Sequence, residues 1–219
     1  MVRAVRYRSS VETSHDILAI IAQHKEYAQY DLCSAIKKDY RTVLRHVKHL
    51  KRRNLIHLRR SEPASKGGKD RNIYGLTFQG LIAVLKRPQF WLHSENVDDI
   101  AGKYTAHLPL VFGKWELYEQ HDFKEQIVAR MHFVLTDRTL LDPLTATVAT
   151  QYTPGYITEQ VLTSFPESNV FYRLLTISAR DPELRRFFDQ HMEKLERTYA
   201  VRLTTIHEWM ATWDAIKDA

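Results

Sequence analysis

Histidine, cysteine and lysine are the side chains whose spacing in this chain invites a chemical reading. His46 and His49 lie three apart and His57 follows, a pattern that can bring two imidazoles to one turn of a helix for a metal ion. No neighbouring Cys or carboxylate set completes a coordination shell, so no metal ligand is assigned. His121, His132, His191 and His207 are scattered. Lys66-Gly67-Gly68-Lys69-Asp70 lacks both the earlier Gly and the following Ser or Thr of a phosphate loop, and reads as a turn. The chain has no Gly-x-Ser-x-Gly, no His-Glu-x-x-His and no Cys-x-x-Cys. No catalytic residue and no cofactor is therefore expected, and an enzyme is disfavoured.

What remains is the chemistry of anion binding. Between Lys37 and Arg60 stand ten basic residues, Lys37, Lys38, Arg41, Arg45, Lys48, Lys51, Arg52, Arg53, Arg59 and Arg60, against one acidic residue, Asp39. Residues 1–90 hold 19 Lys or Arg and 7 Asp or Glu, and residues 91–219 hold 13 and 19, so the two stretches carry +12 and −6. Such asymmetry points to a polyanion-binding region joined to one with another task. No apolar run approaches the roughly 20 residues of a membrane helix, so no membrane association is expected. The first ten residues, MVRAVRYRSS, read as a basic arm bearing Arg3, Arg6 and Arg8. They do not lead into a signal-peptide hydrophobic region. Lone Cys33 has no partner for an internal disulfide, which fits a small buried side chain in a reducing cytoplasm.

The elements that must carry the basic residues follow from capping and periodicity. Ser14 is placed to cap a first helix whose apolar face is Ile17, Leu18, Ile20 and Ile21. A second helix, from about Ala28 to Ile36, turns Tyr30 and Cys33 inward, along with Leu32 and Ile36. Asp39 caps a third, from Tyr40 to about Arg53, by accepting unpaired N–H groups of its first turn. At 100° per residue Val43, Val47, Leu50 and Asn54 fall within about 60° of one another and mark the inner face. Arg41, Arg45, Lys48, His49 and Arg52 lie opposite. A charged face is ordinarily just solvated, but this one lacks the acidic residues at i+3 or i+4 that balance an exposed helix. Its self-repulsion calls for an anionic partner.

Leu55–Arg60 alternates as a strand, and Asn72–Leu76 reads as its antiparallel mate. The intervening SEPASKGGKD makes a basic hairpin tip. Thr77 then caps a helix that stops before Pro88.

Three helices followed by a hairpin, with DYRTVLRHVKHLKRRNLI over 39–56 and IYGLTFQGLIAVL over 73–85, resemble the winged helix-turn-helix domain of MarR- and PadR-like transcriptional regulators. The resemblance covers about residues 13 to 87. The chain departs from it at Lys37-Lys38-Asp39, where such domains commonly carry Gly. It implies double-stranded DNA as partner, with Arg41, Thr42 and Arg45 reading base edges from the start of the recognition helix. Lys48, His49 and Arg52 would touch phosphates from the same face, and Lys66, Lys69 and Arg71 from the wing.

Beyond residue 90 the Pro-containing turns divide an acidic, Trp-bearing region into helical segments. The expected architecture is therefore mainly α, with a winged helix over 11–88 and an all-helical dimerisation or effector domain over 89–219. Asp181-Pro182 starts a helix reaching about Lys217, some 50 Å long at ~1.5 Å per residue. Along it Phe188, Met192, Leu195, Tyr199, Arg202, Ile206, Trp209, Trp213 and Ile216 alternate steps of four and three, a seam suited to self-association. Seven of them, Phe188, Met192, Leu195, Tyr199, Ile206, Trp209 and Trp213, are assigned to a homodimer contact. The aromatic content also admits a small-molecule effector, though no lining residue stands out. Two functions stay open: a dimeric cytoplasmic transcriptional regulator binding specific duplex DNA, and a winged-helix interaction scaffold in a nucleic-acid-processing complex.

Overall fold

The first helix, α1 (Ser10–His24), begins four residues before the cap expected at Ser14. The reason is tertiary, because Ser14 is buried inside the helix and its hydroxyl is hydrogen-bonded to His46. The structure is a computed structural model and describes residues 10–63, 70–87, 90, 95–137, 139–148, 151–165 and 169–217. Ile17, Leu18, Ile21 and Ala22 fill the inner face of α1. A short strand, β1 (Glu26–Ala28), follows where the sequence signalled none, and α2 (Gln29–Ile36) starts directly after it. The phase of α2 differs from expectation: Gln29, Leu32 and Ile36 are buried, whereas Tyr30 is 71% exposed and Cys33 half-buried.

The turn after α2 is made without glycine. Lys37 takes the left-handed conformation at φ 53°, and the Lys38 N–H donates to the Cys33 carbonyl at 3.1 Å. Helix α3 (Tyr40–Arg52) is capped by Asp39 as expected. Asn54, expected on its inner face, is instead an exposed left-handed residue at φ 56° that ends the helix. There the Leu55 N–H reaches back to the Leu50 carbonyl at 3.0 Å, satisfying a terminal acceptor.

Strands β2 (Ile56–Glu62) and β3 (Arg71–Leu76) pair antiparallel, and β1 joins the other edge of β3, giving the order β1-β3-β2. The register slips between Leu58 and Arg60, leaving Arg59 as an extra residue. The simple alternation read from Leu55–Arg60 therefore ends there, and Leu58 is 42% exposed. Thr77 caps α4 (Phe78–Leu85), accepting the Gly80 N–H at 3.1 Å. Gly80 is needed at that place because a Cβ would lie 1.9 Å from the Leu55 carbonyl oxygen.

Helices α5 (Glu95–Tyr104), α6 (Trp115–Gln120), α7 (Lys124–Thr136) and α8 (Pro154–Thr163), with a 3-10 turn at Phe112–Lys114, complete the first compact unit, which runs to Ser164. These helices pack on the basic region: α5 meets α1 and α7 meets α4. Lys86 Nζ donates to the Leu135 carbonyl at 2.6 Å, and Gln79 exchanges hydrogen bonds with the Tyr152 backbone at 2.6 and 3.3 Å. Contacts thus divide the chain after Ser164, whereas the expected domain boundary lay at 88/89. The second unit holds α9 (Asn169–Ser178) and α10 (Pro182–Lys217), which pack together. The Asp181 carboxylate caps α10, accepting the Glu183 and Leu184 N–H groups at 3.0 Å. The chain is mainly helical, and among the described residues no helix is long and apolar enough to cross a membrane.

Candidate nucleic-acid interface

Helix α3 is built from its inner face outward. Val43, His46, Val47 and Leu50 are buried, which orients the helix against the core. His46 Nδ1 lies 2.8 Å from Ser14 Oγ, and this hydrogen bond fixes α3 to α1. Burial, then the charges of Arg45, His49 and Lys38, lower the pKa of His46, so the neutral ring is favoured. At the N-terminus the Asp39 carboxylate accepts the Thr42 N–H at 2.9 Å and also holds the Thr42 hydroxyl. The backbone bond from Thr42 leads the causes that lower the Asp39 pKa. Asp39, the one acidic residue in the basic stretch, is thereby committed to the cap.

The outer face carries Arg41, Arg45, Lys48, His49 and Arg52, all exposed. Among the described residues none of these five has an ion-pair partner or a side-chain hydrogen bond. Thr42, expected beside Arg41 and Arg45, is half-buried and its hydroxyl is already used. Leu44, which periodicity left unassigned, lines a shallow concavity on the outer face together with Arg41, Arg45, Lys48, His49 and Arg52. The signal that would have found it is its spacing, one turn from each of Arg41 and Lys48.

The other basic residues of the stretch are differently placed. Arg53 turns toward the loop after α7, donating to the Pro143 carbonyl at 3.0 Å and to the Ala146 carbonyl. Arg60 binds Glu26 and, at 3.1 Å, Glu62. Arg59 lies 3.9 Å from Glu26. Arg71, expected to contact phosphate, pairs with Asp31 and lies 3.8 Å from Glu62. The sheet's arginines are therefore paired within the fold, whereas among the described residues no ion pair holds the basic side chains of the α3 outer face, nor Lys37, Lys38 or Lys51. Lys66 and Lys69, like Arg3, Arg6 and Arg8, lie outside the described residues.

On α10, Leu184 and Phe188 are buried, so Phe188 is core where a seam contact was expected. Phe187 packs edge-on against Phe188, ring centroids 5.5 Å apart. Leu195 is half-buried, and Met192, Tyr199, Val201, Leu203, Ile206 and Met210 are exposed. The side chains of Arg202, Trp209, Trp213 and Ile216 are outside those described.

Burial raises the Cys33 thiol pKa, and its S–H donates to the Gln29 carbonyl at 3.8 Å. Among the described residues no group of three or more His, Cys, Asp or Glu is arranged to hold a metal ion.

No protein-family model matches the chain, no curated protein matches it, and no solved structure matches it.

Proposed function

We propose that this chain is a sequence-specific double-stranded DNA-binding protein of the winged-helix kind, a cytoplasmic transcriptional regulator that acts as a dimer. The observation that carries the reading is the outer face of α3, where Arg41, Arg45, Lys48, His49 and Arg52 stand exposed and, among the described residues, without ion-pair partners. Unopposed cations on a rigid, capped helix suit a major groove lined by two rows of phosphates. Arg41 and Arg45, in the first half of the helix, reach base edges, whereas Lys48, His49 and Arg52 take phosphates. The two-fold comes from α10. Met192, Tyr199, Leu203, Ile206 and Met210, each about half exposed, lie along one stripe of the helix and offer an apolar face to a second copy.

A gel-shift salt titration on duplex DNA tests the reading. Affinity is expected to fall with a log–log slope of roughly −5, for about six phosphate contacts from the two protomers. No binding at low salt, or no loss in Arg41→Ala with Arg45→Ala, sinks it. Light scattering of Tyr199→Glu with Ile206→Glu tests the dimer, with a monomeric parent as the contrary result. The exposed α10 seam also favours a second reading, an interaction scaffold in a nucleic-acid-processing complex. That reading requires binding partners to be retained when Arg41 and Arg45 are replaced.

A further inference from the structure

We infer that Leu44 is a base-reading side chain that takes the C5-methyl group of a thymine in the major groove, between the guanidiniums of Arg41 and Arg45. The inference rests on the DNA-binding reading and names part of the sequence such a site would select. Leu44 is the one apolar residue lining the concavity on the outer face of α3, among Arg41, Arg45, Lys48, His49 and Arg52. The inner face is already filled by Val43, His46, Val47 and Leu50, and Leu44 stays partly open to solvent. Its isobutyl group borders Arg41, Arg45, Lys48, His49 and Arg52 in that concavity, and Tyr40, one turn before it, is 43% exposed on its other flank. Among the groups that unmodified base pairs display in the major groove, the thymine C5-methyl alone is apolar.

The position agrees with the chemistry. Leu44 lies one turn beyond Arg41 and adjoins Arg45, in the half of the helix that approaches base edges. A flanking guanidinium donates in pairs to guanine O6 and N7, and carries no preference for a methyl group. Two other apolar groups stand near the helix start: the Tyr40 ring, whose hydroxyl accepts from Gln29 Nε2 at 3.2 Å, and the methyl of Thr42, which is half-buried with its hydroxyl held by Asp39. A Leu44 contact therefore predicts a thymine adjacent to a guanine in each half-site. The same methyl is displayed by 5-methylcytosine, so the experiment separates the two.

The full-length protein is used to select duplexes from an unmodified random library. The best duplex is then remade with uracil replacing thymine at single positions, and separately with 5-methylcytosine replacing cytosine. The wild type is expected to lose about fourfold in affinity at one thymine per half-site when the methyl is removed. Leu44→Ala is expected to bind thymine and uracil duplexes equally, and Leu44→Met to keep the preference. Uracil at every position without effect overturns the inference through the wild type alone, whatever the variants do. So does an unchanged thymine preference in folded Leu44→Ala. Affinity that rises on 5-methylcytosine while ignoring uracil overturns thymine as the partner. Failure to enrich any duplex is the distinct result that removes the DNA-binding reading itself.

Discussion

Ser14 Oγ and His46 Nδ1, 2.8 Å apart and buried, join the first helix to the inner face of the helix that carries the basic outer face. Residues 32 positions apart in the chain thus set the seat of α3. Burial lowers the His46 pKa below its ordinary 6.5. The unfolded chain then binds more protons than the folded one once pH falls below about 6.5. Stability from this group is complete above that pH and is lost as pH drops through the lowered folded value. His15, His57 and His107 are lowered by burial first as well, and add with the same sign. Urea unfolding midpoints are expected to fall between about pH 7 and about pH 5, less steeply in His46→Asn. A slope unchanged in that variant would contradict the assignment.

The sheet's arginines should matter little to DNA. Arg60 and Arg71 already hold Glu26, Glu62 and Asp31, whereas Arg45 has no ion-pair partner among the described residues. Arg45→Ala is expected to cost about 1–3 kcal/mol on the selected duplex. Arg60→Ala and Arg71→Ala should each cost less than about 1 kcal/mol, measured by fluorescence anisotropy at one salt concentration. Equal losses at all three sites would refute the division.

Gly80→Ala should destabilise the protein although alanine is ordinarily the better helix former by about 1 kcal/mol. The added Cβ would meet the Leu55 carbonyl oxygen at 1.9 Å, and backbone must move to admit it. A loss of about 1–3 kcal/mol is expected in urea unfolding. A gain would show that α4 does not approach Leu55 so closely.

Lys37→Gly should do the opposite. Lys37 holds φ at 53° in the turn between α2 and α3, a conformation that costs an L-residue about 1–2 kcal/mol. Glycine removes that strain and loses part of the gain to its freer unfolded chain. A net stabilisation of up to about 1 kcal/mol is expected by thermal melting, and a destabilisation would argue against the left-handed turn.

Local physics was written legibly in this sequence. Asp39, Thr77 and Asp181 carry helix starts because a capping oxygen acts on N–H groups two or three residues away. The inner positions Val43, Val47 and Leu50, and the outer Arg41, Arg45 and Lys48, follow from a helical period that needs no distant information. Long-range partners had no such signature. Ser14 looked like a cap, yet a histidine on another helix claimed its hydroxyl. Arg53 belonged to the basic run by composition and Arg71 to the expected wing, but Pro143 and Asp31, 90 and 40 residues away, took their guanidiniums. Strand β1 exists because β3 offers it an edge, and the bulge at Arg59 arises from pairing, so neither shows in the strand's own residues. Sequence alone determined that α3 has a basic face and an apolar face. Tertiary structure decided which charges remain unpaid, because neutralisation depends on who folds beside whom, and periodicity along one chain segment carries no record of that.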